Sequence, residues 1–325
     1  MSLPETKTNM QLNINTKKKK VFTQDRIVSL IFLLPSLIGI GIFVYGFIFW
    51  TGYLSLSHAN TAAMDMSFAG LKNYLFLFDD FRFQSDFRNT LVFTILFVIT
   101  SIVLGIVMSA FIDSKIKGSR FFQNLFIFPM AMSFIVTGAV WQWLLNPSTG
   151  YNKILQFFGV ENLPLWYVNP KVLLSFPFGD IEFGIPVAQI SLVIAALWQM
   201  SGFVMAMYLS GLRGIDDSYK EAARIDGATE LQIFFKVILP LLRPITISAV
   251  IIVGHISLKI FDLIYVMTGP GNGYVTDMPG VYMFETTFRG HHYGQGAAIA
   301  MLMLLFVSLL IIPYLISNRR KEVEE

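Results

Sequence analysis

Residues 211–240 have the sequence GLRGIDDSYKEAARIDGATELQIFFKVILP, a charged stretch between two long apolar segments. Ser218 is followed three residues later by Glu221, and Thr229 is followed three residues later by Gln232. This spacing is typical of capping boxes, in which both side chains bond to the backbone at a helix N-terminus. The stretch therefore predicts two short helices within a polar loop.

The first short helix is predicted from about Tyr219 to Asp226, and Gly227 is expected to end it in the left-handed conformation. One face of this helix carries Tyr219, Ala222, Ala223 and Asp226 at helical spacing. The two alanines would let another surface approach closely. The pattern fits a docking element, and a merely structural helical hairpin explains it equally well.

The second short helix has its apolar side chains on one side, which suits packing against neighbouring membrane helices. These side chains are Leu231, Phe234, Phe235 and Ile238. Pro240 is expected to end the helix, because proline has no amide hydrogen and crowds the preceding turn.

The chain as a whole is too apolar for a water-soluble protein of its size. It has 325 residues, of which 54% are hydrophobic and 14% are charged, and a mean hydropathy of +0.61. A helix needs about 20 apolar residues to cross a bilayer. The sequence therefore predicts an all-α integral membrane protein with six transmembrane helices. Their expected limits are 27–54, 89–112, 121–145, 186–211, 241–265 and 294–317.

The positive charges predict the orientation of these spans. With the N-terminus inside, 17 of the 24 Lys and Arg residues lie on the cytoplasmic side and 6 lie in the outer loops. Cytoplasmic loops retain positive charge, so both termini are predicted to be cytoplasmic. The outer loops 55–88 and 146–185 are long enough to form small caps with amphipathic pieces. The predicted organisation is a cytoplasmic tail 1–26, a transmembrane domain 27–317 that contains the cytoplasmic loop 212–240, and a cytoplasmic tail 318–325.

The motif in the cytoplasmic loop closely resembles the corresponding loop of binding-protein-dependent ABC importer permeases. It consists of Glu221-Ala222-Ala223, three residues, Gly227, nine residues, and Val237-Ile238-Leu239-Pro240. Val237 stands where that family commonly has isoleucine, which is a small departure.

Other stretches are similar to the carbohydrate branch of that family, and in particular to the maltose-type first permease. They are Asp226-Gly227-Ala228, the region 261–298, and the opening Phe32-Leu33-Leu34-Pro35. Gly269-Pro270-Gly271 departs from the Gly-Gly-Pro order that is usual in this branch.

This resemblance implies a type I ABC importer permease fold in a bacterial cytoplasmic (inner) membrane. It implies a permease subunit that translocates a sugar or oligosaccharide delivered by an external solute-binding protein. The implied partners are a second homologous permease, two cytoplasmic ATPase subunits and membrane lipid. ATP and magnesium would be bound by the ATPases, with no cofactor in this chain. The residues implied to couple ATPase to permease are Glu221, Ala222, Ala223, Asp226, Gly227, Leu239 and Pro240.

Ionisable residues within the fifth predicted span are candidates for the substrate path. His255, Lys259 and Asp262 are spaced to share one stripe of a helix, and charged groups in hydrocarbon usually face a bundle interior or a watery path. Local pairing of Lys259 with Asp262 near the interface, or a contact with the partner permease, are the alternatives. Aromatic and amide side chains suited to binding a sugar add further candidates, although packing explains each one more simply. These are Trp141, Gln142, Trp198 and Gln199.

Several chemistries are excluded or disfavoured. The chain has no cysteine, so thiolate metal sites and cysteine nucleophiles are excluded. His291 and His292 have no further ligand at metal spacing, and no phosphate-binding loop or zinc-protease motif occurs. We therefore expect no metal site, no catalytic residue and no nucleic-acid partner. An importer permease for a non-sugar solute, an ion-coupled secondary transporter and a membrane-embedded enzyme are the alternatives.

Overall fold

The computed structural model describes residues 24–114 and 117–324 and is predominantly helical. Most of the predicted N-terminal tail lies outside the described residues. The chain divides into an N-terminal unit that ends at Trp50 and a larger unit that begins at Thr51.

The N-terminal unit contains α1 (Gln24–Ile40) and a π-helical turn (Gly41–Gly46), and α2 (Phe47–Ser55) begins in it. Pro35 lies inside α1. Apolar side chains are nearly continuous from Leu30 onward, as expected for a helix surrounded by lipid.

The larger unit contains thirteen further α-helices and one hairpin of strands within the described residues. They are α3 (Lys72–Asp79), α4 (Phe81–Asp113), α5 (Ser119–Ile127), α6 (Phe134–Leu144), α7 (Gly150–Phe157), β1 (Val172–Phe178), β2 (Ile181–Pro186), α8 (Val187–Gly214), α9 (Asp217–Ile225), α10 (Glu230–Ile233), α11 (Leu239–Leu241), α12 (Arg243–Leu258), α13 (Asp262–Met267), α14 (Pro279–Phe284) and α15 (Tyr293–Glu324).

The core of the larger unit lies between α4 and α8. Phe93 and Phe97 stack with ring centroids 5.4 Å apart, and both are fully buried. They belong to one apolar cluster with the small residues Ala195 and Ala196 of α8. At Gly105, a Cβ atom would lie 2.5 Å from the side chain of Val204, so glycine permits close packing of the two helices.

Four helices in the described residues are long and apolar enough to cross a membrane without a break. They are Ser29–Ser55, Phe81–Asp113, Val187–Gly214 and Tyr293–Pro313. Two further pairs of helices pass the same test only together. One pair, Ser119–Ala131 with Phe134–Leu144, is bent by 102°, and the other, Glu230–Leu241 with Arg243–Leu258, is bent by 64°.

The stretch 121–145, predicted as one transmembrane helix, therefore consists of two helices with a sharp bend between them. The break has a local cause, because Pro129 cannot donate a backbone hydrogen bond and Ser133 caps a new helix by accepting from the Val136 amide. The carbonyl of Met132 at the break accepts a 2.8 Å hydrogen bond from Nε2 of the buried Gln199.

The predicted helix over 241–265 is also interrupted. The helix α12 ends at Leu258, Lys259 and Phe261 have non-helical dihedral angles, and α13 begins at Asp262. The interruption directs Ile260 and Leu263 into the core, where both are buried. Tertiary packing has overridden the continuous apolar pattern.

The loops 55–88 and 146–185, which are predicted to lie outside, contain the short helices α3 and α7. A β-hairpin that the sequence did not predict follows α7. The strands β1 and β2 pair in antiparallel fashion around Gly179, which has a positive φ of 59°. A register irregularity lies between Leu173 and Phe176, and Leu174 within it has a φ of 52°. Such a bulge re-aims a strand and weakens the alternating pattern by which strands are recognised.

Candidate functional site

The polar loop folds into two helical arms joined by a turn. These residues, 216–241, are called the exposed hairpin. Its first arm, α9, is capped by Asp216, whose carboxylate accepts a 2.8 Å hydrogen bond from the Ser218 amide. The predicted capping box of Ser218 with Glu221 is therefore wrong. Asp216 and Ser218 are both residue types that cap helices well, and Asp216 is the one that caps α9. This bond lowers the pKa of the Asp216 carboxyl.

The turn of the exposed hairpin confirms the role predicted for Gly227. Its φ is +80°, and its amide donates to the Arg224 carbonyl at 3.0 Å. The Ala228 amide donates to the Ala223 carbonyl, also at 3.0 Å. These two bonds form a Schellman motif, which requires a residue that tolerates the left-handed conformation.

The second arm begins with the predicted capping box. The Thr229 amide donates to Gln232 Oε1 at 2.9 Å, and the Gln232 amide donates to Thr229 Oγ1 at 3.4 Å. Across the turn, the Arg224 guanidinium forms a two-pronged ion pair with Glu230, at 2.7 and 3.2 Å. The hydrogen bond from Arg224 lowers the pKa of Glu230. The turn is thus held by side chains of both arms.

The apolar face of the second arm differs from the predicted one. Ile233 and Ile238 are buried, whereas Leu231 and Phe235 are 72% and 61% exposed. A π-helical turn over Phe234–Ile238 explains part of this difference. Its wider turn places residues five apart, rather than four apart, on the same side.

Pro240 does not end the second arm as predicted. It lies inside α11, and the chain bends at Leu242, between the two members of the bent pair. The preceding π-helical turn is bonded from the Leu239 amide to the Phe234 carbonyl. That bond accommodates a proline in the following position.

The structure places the predicted coupling residues of α9 together on the surface. Glu221, Ala222, Asp226 and Gly227 are exposed, and Ala223 is half-buried against the core. Of the two further predicted coupling residues, Leu239 is half-buried and Pro240 is exposed. Ile225, which was not among the predicted residues, is 86% exposed at the end of α9. The signal available in the sequence was a large apolar residue, isoleucine, in an otherwise polar helix.

The three candidate ionisable residues of the fifth predicted span do not form one helical stripe. His255 lies on α12, Lys259 follows its end and Asp262 begins α13. His255 is half-buried, whereas Lys259 and Asp262 are exposed. Among the ion pairs of the described residues there is none between Lys259 and Asp262.

The aromatic and amide candidates for the substrate path lie in two different parts of the larger unit. Trp141 packs edge-to-face against Trp198 with ring centroids 6.2 Å apart, and Gln199 binds the Met132 carbonyl. These contacts place the three residues beside the broken helix pair. Gln142 is exposed and lines a separate cavity of about 420 Å³. Polar groups of the same cavity come from Tyr167, Thr268 and Asn272.

Comparison with known proteins places the chain in a family. Residues 101–323 match the family described as "Binding-protein-dependent transport system inner membrane component". The chain is 34% identical to a probable ABC transporter permease of Pyrococcus horikoshii, over 88% of this chain and 94% of the relative. It is 30% identical to a xylose/arabinose import permease of Haloferax volcanii, over 87% and 84% of the two chains.

A solved structure has the same fold. It is a bacterial alginate ABC transporter in complex with its alginate pentasaccharide-bound periplasmic protein, with a TM-score of 0.73 and 19% identity over 89% of this chain and 93% of the other. The family predicted from the Glu-Ala-Ala loop is confirmed by the matches. This chain belongs to the inner-membrane permease components of binding-protein-dependent ABC transport systems.

Proposed function

We propose that the chain is one of two membrane-spanning subunits of an ATP-driven importer for a sugar or oligosaccharide. The observation that carries this proposal is the exposed hairpin. A short helix with a small, exposed face is held rigidly by a Schellman turn, a capping box and a bridging ion pair. Such an element is suited to transmitting a push from a soluble partner to the spans.

The residues proposed to contact or position the ATPase partner are those of the hairpin motif. Glu221, Ala222 and Asp226 present polar and small groups, Gly227 fixes the turn, and Ala223 ties the helix to the core. Leu239 and Pro240 lie at the bent end of the second arm. A movement of the hairpin would therefore reach α12 through this bend.

The proposed membrane arrangement has six spans and both termini in the cytoplasm. Each bent helix pair would count as one span, and the 17 basic residues on one side support the orientation. The exposed hairpin is then cytoplasmic, and the β-hairpin and the cavity lined by Gln142 lie on the opposite side.

A carbohydrate substrate is supported by the relatives. The xylose/arabinose permease and the alginate transporter are both named for saccharides. In this chain, the cavity lined by Gln142, Tyr167, Thr268 and Asn272 offers hydroxyl and amide groups suited to sugar hydroxyls. His255, Lys259 and Asp262 remain candidates for contacts along the path.

The proposed assembly contains a second homologous permease, two ATPase subunits and an external solute-binding protein. ATP and magnesium would bind to the ATPases, and this chain would hydrolyse nothing itself. It would supply the pore and the docking hairpin.

The proposal is tested by reconstituting the assembled importer in vesicles with Glu221→Lys or Gly227→Pro. We expect both variants to insert normally and to lose ATP-dependent sugar uptake, while ATP hydrolysis no longer responds to the loaded binding protein. Charge reversal disrupts the docking face, and proline cannot adopt the positive φ at Gly227.

Glu161→Lys is the matched control, because Glu161 is an exposed carboxylate in a proposed outer loop. It should leave the coupling of hydrolysis to uptake unchanged. Normal uptake by both hairpin variants would show that the hairpin is not the coupling element.

A further inference from the structure

A layer of buried charge joins the N-terminal end of α4 to the segment that precedes α14. Arg82 and Asp86 come from α4, Asp277 comes from the segment, and Glu285 follows α14. Asp86 and Asp277 are fully buried. Neither the transport motif nor the candidate path includes these residues.

Arg82 is the centre of this layer. Its Nε donates to Asp277 Oδ2 at 2.5 Å, and one terminal nitrogen donates to Glu285 Oε2 at 2.7 Å. Its guanidinium also lies 4.4 Å from the ring centroid of Tyr282 and 5.1 Å from that of Tyr274. The guanidinium thus interacts with two carboxylates and two aromatic faces.

Asp86 has no such partner. Both of its carboxyl oxygens are buried, and no donor in the described structure reaches either of them. The neighbouring Arg88 points elsewhere, since its guanidinium donates to Asn89 Oδ1 and to the Glu182 carbonyl. An anionic carboxylate in this position would be desolvated with no hydrogen-bond donor to compensate, which costs several kcal/mol.

The Asp86 carboxyl lies close enough to the carboxyl group of Asp277 for a hydrogen bond between the two side chains. Asp277 already accepts from Arg82 through one oxygen and from the Met278 amide through the other, as expected for the ionised member of a pair. Each of its oxygens retains a lone pair for a further donor.

Other charged and titratable groups surround the pair without supplying a donor to Asp86. Asp80 caps α4 by accepting from the Phe83 amide and lies near Tyr282 and Asp86, and its negative charge adds to those of Asp277 and Glu285. Burial raises the pKa of Asp277, and Arg82 opposes that rise. Three nearby carboxylates, set against two arginines whose hydrogen-bond donors are engaged elsewhere, disfavour a fourth negative charge. The groups facing the pair are Asp80, Arg82, Arg88, Tyr282 and Glu285.

We infer that Asp86 carries a proton and donates a hydrogen bond to Asp277, so that this shared proton fastens the segment before α14 to α4. Asn89 reinforces the same junction, because its side-chain nitrogen donates to the carbonyls of Tyr274 and Asp277 at 2.7 and 2.9 Å. Asp86 is then a positioning residue that makes α4 and this segment move as one body. Loss of the proton would place two adjacent anions in the junction and loosen it.

The inferred proton determines the direction in which the stability of the folded chain changes with pH. The folded chain holds on Asp86 a proton that a free aspartate releases near its ordinary pKa of about 3.9. The folded state therefore binds more protons than the unfolded state above that pH, and stability should fall as pH rises. Any effect on transport rests on the proposed function, whereas the protonation state does not.

Asp86→Asn tests the inference, since an amide keeps the shape and the donor but cannot lose a proton. Infrared spectroscopy of the full chain, purified with its partners in an ester-free detergent, should show a protonated carboxyl band at neutral pH. Asp86→Asn should abolish that band. Absence of the band, or its persistence in Asp86→Asn, would overturn the inference.

Thermal unfolding across neutral and alkaline pH gives a second readout. The unaltered protein should lose stability as pH rises, and Asp86→Asn should keep its neutral-pH stability and flatten that decline. Asp86→Ala should be less stable at every pH, and rescue by asparagine distinguishes the hydrogen bond from mere packing. Asp79→Asn, an exposed carboxyl, is the matched control and should change neither readout. If Asp86→Asn were as unstable as Asp86→Ala and kept the same pH dependence, Asp86 would be anionic.

Uptake by the reconstituted importer should follow the same pattern, with activity declining at alkaline pH in the unaltered protein and less so in Asp86→Asn. If no variant transports sugar while the infrared and unfolding results hold, the proposed function fails and the shared proton stands. If uptake is normal but the band is absent, the shared proton fails and the proposed function stands.

Discussion

Single residues at the turn of the exposed hairpin show which features can be predicted from the sequence. Gly227 and the box of Thr229 with Gln232 were predicted correctly because both depend on atoms within a few residues. The cap at Ser218 was mistaken because Asp216 competes for the same helix end. Asp86 and Asp277 escaped notice because they are 191 positions apart and only tertiary packing brings them together.

Thr229→Ala tests the cap of the second arm. Loss of its hydroxyl acceptor should weaken the local structure by about 1 kcal/mol. Faster amide hydrogen exchange over residues 230–233 would report the change. Thr61→Ala, in an exposed turn of the larger unit, is the control and should leave exchange in the hairpin unaltered. Unchanged exchange in Thr229→Ala would mean that tertiary contacts alone hold the arm.

The pH dependence of the exposed hairpin follows from its two carboxylates with lowered pKa. Hydrogen bonds to the Ser218 amide and to Arg224 lower the pKa of Asp216 and Glu230 below their ordinary values of 3.8 and 4.5. Their stabilisation is therefore complete above those values and lost as pH falls through the lower folded pKa values. Amide exchange, corrected for its intrinsic pH dependence, should show constant protection at neutral pH and a loss only in strong acid. Loss already at mildly acidic pH would contradict this assignment.

At the scale of elements, the sequence predicted six apolar stretches but not their interruptions. Hydropathy reports which segments can be buried in lipid, and it carries no information about whether a helix runs straight through them. The break at Pro129 is stabilised by Gln199, a residue 70 positions away, and the break after Leu258 serves the burial of Ile260. The β-hairpin was missed because the bulge near Leu174 removes the alternating pattern.

Gly202→Val tests the packing of α8 against the broken helix pair. A Cβ atom at Gly202 would overlap the Phe126 carbonyl, far inside van der Waals contact, so the backbone of one helix must move. We expect destabilisation of at least about 1–3 kcal/mol, measured by thermal unfolding in detergent. Gly214→Ala in the same helix is the control, because a Cβ atom there meets open space. Equal stability of the two variants would contradict the observed close approach.

At the scale of the whole molecule, the charge distribution predicts which side each loop faces, and the absence of cysteine makes this directly measurable. Glu161→Cys and Lys236→Cys each add one exposed thiol, in the proposed outer loop and in the exposed hairpin. An impermeant maleimide should label Glu161→Cys in intact cells and Lys236→Cys only after permeabilisation. The reverse labelling would invert the proposed orientation.

The central claim is that the exposed hairpin docks on an ATPase, and in-cell crosslinking tests it most directly. A photoreactive amino acid in place of Ala222 should crosslink to a nucleotide-binding ATPase identified by mass spectrometry, whereas the same group in place of Glu161 should not. Crosslinking of position 222 only to lipid or to other membrane subunits, with no ATPase among the products, would contradict the account.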